Sequence, residues 1–379
     1  MIDKTKTLYS MKKKLAIIRA DSSQLSLINK AQEMGIETHC FAWDKEGFTD
    51  CKDIADYFHP ISILEKELIL EKCKDIKIDG VTSICSDTAV PTVAYVAQGM
   101  GLIGNRYEDM LILRSKYKAR QTFFKNGMNS PRFAIAQEDV DLSGFKYPLI
   151  VKPVDRCGSD GAIKVEKEDD LQEAILRSKE ISFSKEVLIE EFITGLEASV
   201  DSISWNGEHH VMVIKEREMI IENDCPVKMA GHYPFDLPVH IQNKIIEETQ
   251  KALNSINFKN GASNTEFRIA NDGTVIVLEV NPRMAGEKSH ILMKLHNGYD
   301  VLKGVIDIAL GQFEKPVFTQ KKYSGVYYCR KNTENIRQAI ENKEKDQDIV
   351  DAVLYMEEEK HLGRIGYFIY QSEQKKRWN

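Results

Sequence analysis

Two apolar runs close on the dipeptide Asp272-Gly273, and each carries a carboxylate that the fold must accommodate. The runs are Thr265-Glu266-Phe267-Arg268-Ile269 and Val277-Leu278-Glu279-Val280-Asn281-Pro282-Arg283. Asp-Gly between apolar strands is a strong hairpin signal, and a two-residue loop there pairs Asn271 with Thr274. Counting back from that pair sets Glu266 directly across from Glu279. Like charges so placed destabilise a hairpin. Asn281, two residues beyond Glu279, shares its face. Two carboxylates and an amide oxygen on one face make an oxygen-only site for a hard cation, which would cancel the repulsion. The alternative is a solvated polar face at the hairpin end. Phe267, Ile269, Ile276, Val277 and Leu278 weigh against it, because they imply a buried sheet. A different loop length would break this register.

Upstream, a β-α-β rhythm begins at Leu15. Residues 15–18 and 36–41 read as strands around a helix at 22–34 that Gly35 ends. A helix at 65–74, a strand at 81–85 and a helix at 88–98 follow, the last with Pro91 in its first turn, where a missing N–H costs nothing. Such alternation implies a parallel sheet covered by helices. This unit closes near residue 105, and residues 1–13 are a polar, basic lead-in in which Met11 is a second candidate start. Residues 106–126 read as two helical pieces. Strands at 147–152 and 162–165 form a hairpin, with a helix at 170–179 and a strand at 187–190 after it. Strands at 197–204 and 210–215 join through Asn206-Gly207. A helix at 241–254 precedes the carboxylate hairpin, and a strand-helix-strand segment runs from 323 to 370. This region mixes hairpins and helices, so it reads as α+β.

Composition narrows the function classes. At 379 residues the chain has length for two or three domains. A net charge of -6 disfavours a general nucleic-acid or anionic-membrane binder. No apolar run approaches the ~20 residues that span a bilayer. The seven cysteines are widely spaced with no C-x-x-C, which disfavours a disulfide scaffold or structural zinc and favours a reducing cytoplasm. Phosphate-loop, dinucleotide, zinc-protease, serine-hydrolase and kinase signatures are absent from the sequence. His209-His210 resembles a metal pair, but neighbours on a strand point to opposite faces.

Some basic residues ask for an anion. Lys152 ends the apolar run Leu149-Ile150-Val151, and a lysine there can simply snorkel to water. The loop after it, 155–161, holds two glycines and can offer N–H groups to phosphate oxygens. Lys116 and Arg120 lie at i and i+4 of one helix, where like charges repel unless a phosphate or solvent relieves them.

Taken together and in order, these residues resemble the ATP-grasp superfamily, in particular its L-amino acid ligases and carbamoyl-phosphate-synthase-like carboxylate–amine ligases. Ile78-Asp79-Gly80-Val81 and Gly101-Leu102-Ile103-Gly104-Asn105 look like parts of its pre-grasp domain. Ser115-Lys116-Tyr117-Lys118-Ala119-Arg120 is similar to its first ATP-lysine helix, and Val151-Lys152-Pro153 to its second ATP lysine. Residues 157–161, with Ser159, resemble its flexible phosphate loop, and Ile189 through Glu197 its hinge. The resemblance implies an α/β N-terminal pre-grasp domain with a parallel sheet at 1–105. It implies α+β ATP-grasp domains at 106–311, with ATP held about 115–195, and a C-terminal α+β subdomain at 312–379. It implies adenine on the backbone of Glu190, Glu191, Phe192 and Ile193, and ribose on Glu197. Lys116 and Lys152 would face phosphates. Mg²⁺, or Mn²⁺ in its place, would sit on Glu266, Glu279 and Asn281.

The implied chemistry is attack of a substrate carboxylate on the γ-phosphate of ATP, then attack of an amine on the acyl phosphate. Lys152 and Arg283 would neutralise charge, and Arg283 or the backbone near Gly286 would stabilise the oxyanion. His232, Glu287, Lys288 and His290, with Arg283, would border the acceptor pocket. The implied partners are small carboxylates and amines, and a second copy of the chain as a homodimer. Two other readings are a carbamoyl- or carboxy-phosphate enzyme and a non-catalytic nucleotide-binding protein. The sequence departs from the family pattern at Ser115, where Asp often stands, and at Cys157 and Asp160, where small neutral residues are usual.

Overall fold

The computed structural model describes residues 12–137, 140–156, 160–222, 225–286, 288–359 and 363–378. The described residues fall into two compact units, one of 12–104 with 302–313 and one of 105–301 with 314–378.

The first unit is built on a four-stranded parallel sheet in the order β3-β2-β1-β4. Its elements are β1 (Lys14–Ile18), α1 (Leu25–Glu33), β2 (Glu37–Phe41), β3 (Tyr57–His59), α2 (Lys66–Ile76), β4 (Gly80–Thr82) and α3 (Val90–Met100). Leu15 through Ile18 are fully buried, as a strand covered on both faces must be. Ala16, Ile18 and Phe41 pack with Ile69, Cys73, Val96 and Ala97 of the helices. The sequence reading missed β3, whose Tyr57-Phe58-His59 has only three residues and no apolar alternation to mark it.

The second unit opens with α4 (Tyr107–Ile112) and α5 (Lys116–Lys125). Strands β5 (Phe133–Ile135), β6 (Leu149–Pro153), β7 (Ile163–Val165) and, after helix α6 (Leu171–Ile181), β8 (Val187–Glu191) form an antiparallel sheet in the order β5-β8-β6-β7. A larger antiparallel sheet follows. It contains β9 (Gly195–Trp205), β10 (Glu208–Glu222), β11 (Cys225–Tyr233), then after α7 (Val239–Ser255) β12 (Gly261–Ala270) and β13 (Val275–Asn281). Helix α8 (Ser289–Asn297) comes next, and α9 (Val301–Ala309) belongs from Leu302 on to the first unit. The chain then adds β14 (Tyr323–Cys329), α10 (Glu334–Glu341), β15 (Ile349–Glu359) and β16 (Arg364–Ser372). The order is β13-β12-β9-β10-β11-β14-β16-β15, so β11 carries the sheet without a break into the C-terminal strands. The sequence reading had no strand at 225–233, where Pro226, Gly231 and Pro234 dilute the pattern.

Asn206 (φ 50°) and Gly207 (φ 84°) both adopt positive φ, as a two-residue hairpin between β9 and β10 requires. The turn between β12 and β13 is different. Ala270 N–H bonds the Thr274 carbonyl at 2.8 Å, so the loop has three residues, 271–273, instead of the expected two. Next to it Phe267 pairs with Val277, one residue out of the expected register. A β-bulge at Leu278 then inserts an extra residue and restores the count, and Glu266 faces Glu279 after all.

Candidate active site

One face of the larger sheet is polar by strand alternation. Glu197, Ser199 and Asp201 of β9 pair across with Arg217 and Lys215 of β10 and with Arg268, Glu266 and Asn264 of β12, and cross-strand partners share a face. The other face holds Ala198, Val200 and Phe267, all fully buried. Beneath the polar face, Lys215 bonds Asp201 at 3.1 Å, Tyr233 donates to Asp201 at 2.9 Å, and Asn264 donates to it at 2.7 Å. This satisfied network fixes the strands that carry Glu197 and Glu266.

A cavity of about 910 Å³, mouth included, lies between that face and the smaller sheet. Ten of its lining residues matter here: Lys116, Lys152, Glu190, Glu191, Phe192, Ile193, Glu197, Arg217, Glu266 and Glu279. Lys116 opens α5, whose N-cap is Ser115; the Ser115 hydroxyl accepts from the Lys118 N–H at 3.4 Å. Serine therefore does the capping work that Asp would do. Lys152 projects from β6, and Glu190 from the paired β8.

Every carboxylate in the cavity named above except Glu191 meets a basic side chain. Lys116 contacts Glu279, and Arg217 contacts Glu266. Arg217 also lies 3.1 Å from Glu197, and Arg268 lies 2.7 Å from it. Glu190 is held by Lys152 at 2.5 Å and Arg120 at 2.6 Å. Burial would raise the Glu190 carboxyl, but Arg120 and Lys152 outweigh it and hold it at about 2. Burial lowers the Lys152 ammonium, and the nearby Arg120 and Lys116 charges add to that while Glu190 opposes it. Burial raises the Glu266 carboxyl, Glu279 and Glu197 push the same way, and Arg217 resists.

The residues fit a hard divalent ion with a polyphosphate. Glu266 and Glu279 face each other across the β12–β13 ladder, and Glu266 is buried enough that its charge is disfavoured by its surroundings. A cation between them would relieve both costs. Lys116 and Arg217, now paired with those carboxylates, would be released to phosphate oxygens.

Other expected residues lie elsewhere. Asn281 ends β13 opposite Asn264 and is nearly buried, outside the cavity lining. Arg283 follows it, its N–H bonding the Asn281 carbonyl at 2.8 Å, and the Gly286 carbonyl accepts from Ser289 N–H at 3.1 Å. Lys288 sits at φ 63° before α8 with its ammonium 4.7 Å from the Tyr367 ring. His290 is pushed down to about 4, by burial first and then by Lys288. His232 is fully buried, 2.9 Å from the Tyr370 hydroxyl and 3.1 Å from Glu218, and does not line the cavity. Ser159 and Glu287 lie outside the described residues. In the hinge, the amides of Glu191 and Phe192 already bond the carbonyls of Arg132 and Pro148, at 3.0 and 2.9 Å.

Arg120 is the clearest departure from the sequence reading. It does not share an anion with Lys116. It is turned inward, 2% exposed, and donates to Glu190 and to the carbonyls of Val277 (2.6 Å) and Leu278 (3.0 Å), the bulge itself. Arg217 and Arg268 were also missed. Their signal was the two-residue spacing of Lys215 with Arg217 and of Glu266 with Arg268.

Comparisons with known proteins bear on the fold. Residues 145–291 match the family model of the ATP-grasp domain. The carbamoyl phosphate synthase large chain of Thermoanaerobacter sp. (strain X514) is 29% identical over 266 residues, covering 68% of this chain and 24% of that one. The chain thus spans about a quarter of the length of the curated relatives it matches first. The L-amino acid ligase from Bacillus licheniformis superposes with a TM-score of 0.78 at 23% identity, covering 96% of this chain and 94% of that one. Phosphoribosylglycinamide synthetase from Anaerococcus prevotii gives 0.75 at 22% identity, covering 96% and 95%. Both share the fold.

Proposed function

From the ATP-grasp domain that residues 145–291 form, we propose an ATP-dependent carboxylate–amine ligase that makes an amide bond through an acyl phosphate. The observation that supports it most is the convergence of Lys116, Lys152 and Arg217 with the opposed pair Glu266 and Glu279 on one cavity. Glu197, braced by two arginines, would accept ribose hydroxyls. Lys152, Lys116 and Arg217 would hold the phosphates and spread the charge that builds at the transferring group. A divalent ion on Glu266 and Glu279, with Asn281 two residues further along the strand, would supply Lewis-acid neutralisation of phosphate oxygens. The substrate carboxylate attacks the γ-phosphorus, ADP leaves, and the amine then displaces phosphate from the acyl carbon. Arg283, the Gly286 backbone, Lys288 and His290 are proposed at the acceptor end.

A screen of carboxylate–amine pairs for ADP and phosphate release, with mass detection of the condensed product, tests this. Release that needs both partners, and a product one water lighter than the pair, supports it. ATP turnover driven by bicarbonate alone would select a carboxy-phosphate enzyme, a reading favoured by the carbamoyl phosphate synthase relatives. Nucleotide binding without turnover on any pair would leave a nucleotide-binding protein.

A further inference from the structure

Strand β10 carries Glu216, Arg217 and Glu218 in succession, so alternation sends Arg217 to one face and its neighbours to the other. Arg217 faces the cavity, touching Glu197 and Glu266. On the rear face, Glu216 receives the ammonium of Lys375 and, at 3.2 Å, the guanidinium of Arg377, which also reaches Glu218. His232 Nε2 lies 3.1 Å from the Glu218 carboxylate and its Nδ1 2.9 Å from the Tyr370 hydroxyl. Trp378 anchors the end of this segment, its ring 4.9 Å from Phe368 and 5.1 Å from Tyr370, and its carbonyl accepts from Asn335 at 2.6 Å. Lys376, between them, turns away to Asp346 (3.0 Å) and Asp348.

Glu216, Glu218 and His232 bring ligand atoms close enough together to hold a cation. Unlike Glu266 and Glu279, these residues do not line the cavity, and both carboxylates are engaged by Lys375 and Arg377. What the arrangement does is mechanical. The β10–β11 ladder is irregular between Glu218 and Met219, one residue past Arg217. A bulge re-aims the side chains next to it. The rear-face ion pairs fix Glu216 and Glu218 on either side of Arg217.

We propose that residues 375–378 are a positioning strap for the nucleotide site: gripping Glu216 and Glu218 from behind, they aim Arg217 at Glu197, Glu266 and an incoming polyphosphate. This rests on the nucleotide reading of the cavity. Arg217 would touch substrate; Lys375 and Arg377 would act only through it.

The test is calorimetric titration of the full chain with MgADP, well below the melting temperature of each variant. Lys375→Gln with Arg377→Gln should weaken binding about tenfold, equivalent to ~1.4 kcal/mol. Arg377→Gln alone, at a side chain that is 48% exposed, should weaken it about threefold. Arg377→Lys with Lys375→Arg should bind within twofold of the parent. Lys376→Gln removes the same charge from the same segment but not from β10, and should change nothing. Binding by the double variant within twofold of the parent overturns the strap. So does equal weakening by Lys376→Gln, which would reveal a long-range charge effect. If the double variant does not fold, the Arg377→Gln value decides. Failure of the parent itself to bind MgADP removes the nucleotide reading and the strap with it, whereas tight parent binding with indifferent variants removes the strap alone.

Discussion

Glu190 is the residue on which most of the site's charge balance turns. It is buried between Arg120 and Lys152, and removing its charge leaves the buried Arg120 guanidinium and the largely buried Lys152 ammonium without the carboxylate they share. Glu190→Gln should cost about 3–5 kcal/mol of stability in urea denaturation. Its carboxyl is held at about 2 against an ordinary 4.5, so its contribution is complete above the ordinary value and is lost as pH falls through 2. Between those limits the parent should lose stability on acidification more steeply than the variant, measured by denaturation at stepped pH. In the sequence, Lys152 stood out because it ends an apolar strand before a loop with two glycines, and Lys116 because it repels Arg120 four residues on. Arg120 was visible too, but its partner was not: Glu190 is 70 residues away and meets α5 only through tertiary packing, while the β6–β8 pairing sets Lys152 beside it.

At the scale of elements, the β12–β13 hairpin shows how a correct pairing can rest on an incorrect loop. Asp272-Gly273 marked the turn, and the apolar alternation marked both strands. Neither could show that the loop takes a third residue or that Leu278 bulges to compensate, because the bulge is held by Arg120 from another helix. The hinge into β9 depends on a different backbone constraint. Gly195 has φ 142°, and a Cβ there would lie 2.0 Å from the Ile269 carbonyl oxygen. Gly195→Ala should therefore push β9 off β12. The conformational term alone is about 1–3 kcal/mol, and the clash adds to it. The check is a lowered melting temperature together with faster amide exchange in 195–201, next to Glu197. If the variant melts with the parent and exchanges no faster, the close approach is not a constraint.

At the scale of the whole chain, two units each have their own buried core. Anything that binds a folded site and not the unfolded chain stabilises the part that forms the site. MgADP should slow amide exchange in 116–125, 187–197 and 264–281, all in the second unit, and leave 14–41 of the first unit at its unliganded rate. Equal protection of both segments would mean that the units open together. The alternation of strands and helices made the first unit's parallel sheet legible, and the hairpin signals did the same for much of the second. The continuous eight-stranded sheet was not, because it is joined through β11 and β14, whose pairing is a long-range match that local pattern does not encode. Among the described residues no helix is long and apolar enough to cross a membrane.

The most direct measurement is a crystal structure with Mn²⁺ and a non-hydrolysable ATP analogue, read by the anomalous signal of the metal. The expected result is metal density bound by Glu266 and Glu279, with Lys116 and Arg217 swung from those carboxylates to the phosphates and the ribose on Glu197. Metal and nucleotide bound at another place, while Lys116 and Arg217 keep their present carboxylate partners, would contradict the account.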